Sequence, residues 1–198
     1  MIADLGPSLG FLSAPIPNGG TYTLTTYLGV FLRRAEEVAG RRDLDWTILG
    51  VEFFGKEDEG AAPHTWYPGG CGNVAIRLTR DVALDPQRAL FQLAHEACHL
   101  ISPSGHTGKA PNLEEGFATV LGHELAEEHA NFRCPVSAGY KKAHDAVESL
   151  LRSRPTAIRD MRAIEPKLWL ITPQIVAQVV PGIESGLADF LCAAWKKG

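Results

Sequence analysis

Apolar positions along the chain change period several times, and each change marks an element. From Leu24, the set Tyr27, Leu28, Phe31, Leu32, Ala35 and Val38 keeps the 3–4-residue spacing of one helix face, and Gly40 stands where a helix of that length would end. The segment DWTILGVEFF (45–54) is rich in β-branched and aromatic residues. In NVAIRLTR (73–80), Val74, Ile76 and Leu78 alternate with Ala75, Arg77 and Thr79. Both predict strands. Between them GKEDEGAAPHTWYPGG (55–70) is polar at its start and broken by Pro and Gly, which predicts a long surface loop.

Asp85 and Pro86 form an N-cap and first-turn pair, and they predict a helix of about fifteen residues. A second helix follows in NLEEGFATVLGHEL (112–125), and a third carries Tyr140, Ala143, Val147, Leu150 and Leu151 at helical spacing. Residues 155–198 read as short helices punctuated by Pro155, Pro166, Pro173 and Pro181; among them TPQIVAQVV opens on an N-cap Thr, and GLADFLCAAW repeats apolar residues at helical spacing. These complete the core or supply the far wall of a cleft. Residues 1–20, rich in Gly and Pro, predict an irregular arm. The expected architecture is α+β, with a small sheet, one domain over 1–198 and a mainly helical C-terminal half.

Composition changes this picture mainly by exclusion. At 198 residues and 45% hydrophobic the chain can build one sizeable core. A net charge of −4, with no Lys/Arg run longer than two, gives no surface for a nucleic-acid partner. No segment approaches the roughly 18 apolar residues of a membrane span, and the N-terminus lacks a basic signal-type region. Cys71, Cys98, Cys134 and Cys192 are widely spaced without a C-x-x-C pair, so they are expected to be mostly reduced and buried, in keeping with a cytoplasmic address.

The chemistry lies in FQLAHEACHL (91–100). At 100° per residue Leu90, Phe91, Leu93, Ala94, Ala97, Cys98, Leu100 and Ile101 occupy one broad side of the helix, leaving His95, Glu96 and His99 together on the other. Two imidazoles one turn apart can share a Zn²⁺, and the intervening Glu projects beside them: the H-E-x-x-H pattern of metallopeptidases. The five residues alone would arise in roughly one or two shuffled sequences per hundred. Their helical context and the carboxylate-bearing helix that follows favour a metal site.

The third ligand is open at this level. A pattern extended by G-x-x-H needs Gly at position 102 and His at position 105; the chain has Ser102 and Gly105, with His106 one residue late, so His106 reads as a loop histidine. The next helix offers Glu114 and Glu115. On a helical wheel Glu114 lies nearer the centre of the Ala118, Leu121, Leu125 face, and Glu115 lies toward Ala118, Gly122 and Ala126, where small side chains let another helix approach. Geometry does not choose between them.

HEACH (95–99) followed by EEGFA (114–118) resembles the gluzincin branch of the zincin metallopeptidases, in which the helix after H-E-x-x-H opens with a Glu-Gly motif. The resemblance implies His95, His99 and Glu115 as zinc ligands, Glu96 as general base, a zincin-like fold and a peptide or protein substrate. Glu114 is then a first-turn carboxylate favoured by the helix dipole. His123, Glu124, Glu127, Glu128 and His129 read most simply as a solvated face. An open three-ligand zinc site lowers the pKa of water and polarises a carbonyl, with Glu96 taking the proton and a further donor, Tyr140 or His144, meeting the oxyanion. Two other readings use the same residues: a regulatory or protein-interaction module that holds metal without turnover, and a zinc amidase acting on a non-peptide substrate. Glu96 separates enzyme from module, because holding an ion needs no base beside it.

Overall fold

A computed structural model of the chain describes residues 14–15, 21–53, 62–105 and 109–196. It is an α+β structure, with seven helices and a three-stranded mixed sheet among the described residues. Most of the N-terminal arm lies outside the described residues; the described part pairs Ala14–Pro15 (β1) with Thr21–Tyr22 (β2) antiparallel, so that stretch is not wholly irregular.

Helix α1 (Leu24–Ala39) begins where Thr23 Oγ1 accepts the Thr26 N–H at 3.2 Å and ends at Gly40, whose φ of 84° suits a residue without a side chain. It buries Leu28, Phe31, Ala35 and Ala39. Strand β3 (Thr47–Phe53) runs parallel to β5 (Asn73–Leu78), within the two stretches predicted as strands. β5 is the central strand, and its buried Val74, Ile76 and Leu78 face the helices.

The loop expected over 55–70 needs correction. Residues 54–61 lie outside the described residues, but His64–Trp66 forms a strand, β4, antiparallel to β5, and Pro68–Gly70 makes a 3₁₀ turn. A strand of three residues, set between Pro63 and Pro68, is too short for an alternation signal. Tertiary pairing supplies what the local pattern lacks, with the Arg77 guanidinium 3.8 Å from the centre of the Trp66 ring.

Helix α2 (Pro86–His99) starts at the predicted cap, where Asp85 Oδ1 accepts the Arg88 N–H at 3.1 Å. Helix α3 (Asn112–Ala130) is the central rod, buried on all sides from Asn112 to Gly122. It ends at Asn131 in the left-handed region, with φ 48°. Two glycines set its neighbours. A Cβ on Gly122 would lie 3.3–3.4 Å from the His95 backbone and Cβ, and one on Gly116 would lie 2.4 Å from the Ala143 carbonyl oxygen of α4 (Ala138–Ser153). Helix α3 is therefore pressed against α2 at His95 and against α4 beside Glu115.

Helices α5 (Ala157–Ile164), α6 (Pro173–Val179) and α7 (Ser185–Cys192) close the core. Arg162 of α5, 8% exposed, donates to the carbonyls of Ala39, Gly40, Ile101 and Pro166, tying the end of α1 to the turn after α2. The apolar repeat in GLADFLCAAW predicted helix beyond Cys192, but Ala193–Trp195 is extended. Asn112 N–H donates to the Ala193 carbonyl and Trp195 N–H to the Ala110 carbonyl, both at 2.9 Å. All four cysteines are free; only Cys98 is buried and Cys71 is exposed, against the expectation that most would be buried. No helix among the described residues is long and apolar enough to cross a membrane.

Candidate metal centre

The last turn of α2 and the first turn of α3 face each other. His95 and His99, four residues apart, bring their Nε2 atoms to 3.4 Å. Glu115 offers Oε2 at 3.5 Å from His95 Nε2 and Oε1 at 3.9 Å from His99 Nε2. Donor atoms each about 2.0–2.2 Å from one tetrahedral ion stand about 3.3–3.6 Å apart. The Nε2–Nε2 distance and that from His95 Nε2 to Glu115 Oε2 have that length; the 3.9 Å approach to His99 is made by the other carboxylate oxygen, and with one donor atom taken from each residue all three lie within 4.8 Å of one another. Among the described residues, His95, His99 and Glu115 are the one His/Cys/Asp/Glu group close enough to share an ion.

Glu114 is a first-turn carboxylate of α3, as expected, but it has a second partner besides the helix dipole. It is 3% exposed, and its Oε1 lies 2.7 Å from His99 Nδ1. Accepting the Nδ1 proton fixes the tautomer that leaves Nε2 free to ligate, the arrangement by which outer carboxylates orient metal-bound histidines. The two adjacent glutamates thus divide the work, Glu115 facing both Nε2 atoms and Glu114 holding one ring from behind. The sequence signal for this second role was the doubled Glu itself.

The residues present fit a cation. Glu96, Glu114 and Glu115 are all buried, and among the described residues Glu115 Oε2 has no partner within hydrogen-bond reach apart from His95 Nε2 at 3.5 Å. Three buried carboxylates demand compensating positive charge. Without an ion that charge falls to His99: burial disfavours its protonation, but Glu115 and Glu114 overcome this and raise its pKa to about 10. Burial likewise pushes Glu115 up, but the imidazoles of His99 and His95 outweigh it and hold the carboxyl below its ordinary range. Two imidazole nitrogens and one carboxylate oxygen are the donor set of open zinc sites.

Glu96 sits beside this group, and burial raises its pKa despite the opposing pull of His99 and His95. Tyr140, on α4, places its ring 5.7 Å from that of His95 and stacks at 4.8 Å on Trp195. Burial, then the charges of Glu115 and Glu96, raise its pKa to about 12, so it keeps its proton. The centre opens on two cavities, of about 470 and 230 Å³, that share Ala62, Pro63, His95, Glu96 and Tyr140 in their walls. The smaller also includes His64 of β4 and Trp195.

Of the two candidate donors, Tyr140 faces the centre; His144 lines neither cavity, its Nδ1 3.1 Å from Asp145 Oδ1 and its ring 6.1 Å from that of His123. His106 lies outside the described residues. The expected solvated face of α3 is only partly so. Glu124, Glu127 and Glu128 are exposed, but His123 packs against Phe91 at 4.9 Å and His129 against Phe31 at 5.4 Å. His64, Trp195 and the orienting part of Glu114 escaped the sequence reading. His64 sat in an expected loop and Trp195 far along the chain, so only tertiary structure brings them to the site. No family model, curated protein or solved structure matches this chain.

Proposed function

We propose that this chain is a zinc-dependent metallopeptidase with a zincin-like, gluzincin-type centre, in which His95, His99 and Glu115 hold the ion. The observation that carries the reading is the convergence of two Nε2 atoms and the Glu115 carboxylate at 3.4–3.9 Å, with buried Glu96 beside them. The donor set fits zinc because imidazole and carboxylate suit it and a three-residue set leaves a coordination position open. When bound, the ion supplies Lewis-acid chemistry: it acidifies water and polarises a carbonyl oxygen.

The protein's own residues do the rest. Glu96 accepts a proton from the attacking water on a carboxylate oxygen and returns it to the leaving amine. Tyr140 retains its phenolic proton and offers it as a hydrogen bond to the developing oxyanion. Glu114 keeps His99 in the ligating tautomer. β4 is one of the two edge strands of the three-stranded sheet and its His64 lines the smaller cavity, so an extended peptide backbone can pair alongside it.

The test is Glu96→Gln in zinc-loaded protein. The variant should keep its zinc and its fold while kcat falls by about 10²–10⁴-fold, the usual contribution of a general base. Equal rates for variant and wild type would remove the mechanism. Fully zinc-loaded wild type that cleaves nothing in a broad peptide library would favour the non-catalytic module instead.

A further inference from the structure

The larger cavity differs in chemistry from the centre it adjoins. It is walled by Phe91 of α2, His123 of α3, and Phe132, Cys134 and Pro135 of the segment leading into α4. The Phe91 ring meets His123 edge-on at 4.9 Å and tilts against Phe132 at 5.9 Å, so the wall is an aromatic cluster. Three of the polar side chains that reach this cavity are engaged with other groups, and Ser137 stands at its exposed mouth. Arg88 pairs with Asp81 at 2.7 Å; Gln92 donates to Thr79 Oγ1 at 2.7 Å and accepts from Thr79 N–H at 3.0 Å; the Thr119 hydroxyl donates to the Glu115 carbonyl at 2.7 Å. His123 Nδ1 has the Cys134 thiol at 3.9 Å, and burial, with the neighbouring His144 and His95, lowers its pKa.

A volume of about 470 Å³ is within the range of small-molecule sites and holds a phenyl or indole ring with room for adjoining backbone. A charged side chain placed against these rings would lose its hydration, and the charged groups of the wall lie at its borders, Arg88 in an ion pair with Asp81 and Glu96 at the seam with the centre. Glu96 and Tyr140 form the seam between this cavity and the smaller polar one, which places the reacting bond at the mouth of the apolar lobe. Resting on the peptidase reading, we infer that the cavity walled by Phe91, His123 and Phe132 is a side-chain specificity pocket, and that the enzyme selects peptides with a large apolar residue, aromatic or long aliphatic, directly beside the scissile bond.

Cleavage of a peptide library by the zinc-loaded full chain, read by mass spectrometry, tests the preference. Phe, Leu or Met at one position flanking the cut should exceed Asp, Lys and Gly there by at least about tenfold in kcat/KM. Phe132→Asp, on a connecting segment rather than in the core, should reverse the order of Phe and Lys. Ser137→Trp, at the exposed mouth, should depress Phe substrates while sparing Ala ones. A second readout is independent of turnover: saturation-transfer NMR with N-acetyl-phenylalaninamide should show ring contact that Phe132→Asp abolishes, and N-acetyl-aspartamide should show none. Cleavage without side-chain preference, a charged preference in wild type, or no ring contact in the NMR experiment would each overturn the pocket. Ring contact without any peptide cleavage would instead remove the peptidase reading and leave the apolar pocket standing.

Discussion

Replacing Gly116 with Ala tests the packing that sets the third donor of the centre. On an open helix, Gly→Ala stabilises by about 0.5–1 kcal/mol, because Gly has more conformational freedom to lose on folding. At Gly116 the new methyl would lie 2.4 Å from the Ala143 carbonyl oxygen, 2.6 Å from Val147 Cγ2 and 2.9 Å from the Ala143 carbonyl carbon. Ordinary contact begins at 3.4 Å, so α3 and α4 must part by about 1 Å. Two of the three obstacles are backbone, which no rotamer change relieves. Overpacking of this kind costs about 1–3 kcal/mol and outweighs the propensity gain. For a chain of this length each kcal/mol shifts Tm by about 2–4 °C, so Gly116→Ala should melt several degrees lower. Gly29→Ala is the internal control: it lies on α1 with nothing within 4 Å of the added carbon, and should melt slightly higher than wild type. Because Glu115 precedes Gly116, parting the helices also moves the carboxylate, and zinc affinity measured by chelator competition should fall with stability. A Gly116→Ala protein that gains stability as Gly29→Ala does, with zinc affinity unchanged, would refute the close approach of α3 to α4.

Further outcomes follow from single residues. Purified protein should carry about one zinc per chain by elemental analysis; Glu115→Ala should abolish stoichiometric binding, whereas Glu114→Ala should weaken it about 10–100-fold by freeing His99 to rotate, and the opposite order would exchange the roles of the two glutamates. Trp195→Ala removes the ring stacked at 4.8 Å on Tyr140 and should lower kcat more than it raises KM, with Trp195→Phe largely restoring activity; a change in KM alone would count against positioning of Tyr140. Arg162→Ala strips four main-chain carbonyls of a donor and should cost about 2–4 kcal/mol in urea denaturation without changing the cleavage profile; a loss below about 0.5 kcal/mol would mean those carbonyls find other partners.

What the sequence made legible was whatever depends on neighbours along the chain. The 3.6-residue period placed α1, α2 and α3; Asp85 and Thr172 marked helix starts by side chains that do accept N–H bonds, from Arg88 at 3.1 Å and Ile175 at 3.4 Å. The i, i+4 spacing put His95 and His99 on one face, and their Nε2 atoms do meet. Strand β4 and the extended tail at Ala193–Trp195 were illegible for a common reason: each is stabilised by hydrogen bonds to partners at least nine residues away in sequence, and neither carries a local period long enough to announce it.

The choice between Glu114 and Glu115 shows where local reasoning stops. A wheel drawn on α3 gives two adjacent carboxylates 100° apart, and both directions turn out to be buried, so burial could not separate them. What separates them is the position of α2. Gly122 lets α3 approach the His95 backbone to near contact, and Gly116 lets α4 press from another side, which together fix the rotation of α3 about its own axis. With that rotation set, Glu115 faces both Nε2 atoms and Glu114 reaches the far nitrogen of His99. The glycine after the ligand is therefore a packing requirement of the centre: any side chain there would turn or displace the helix that carries the carboxylate.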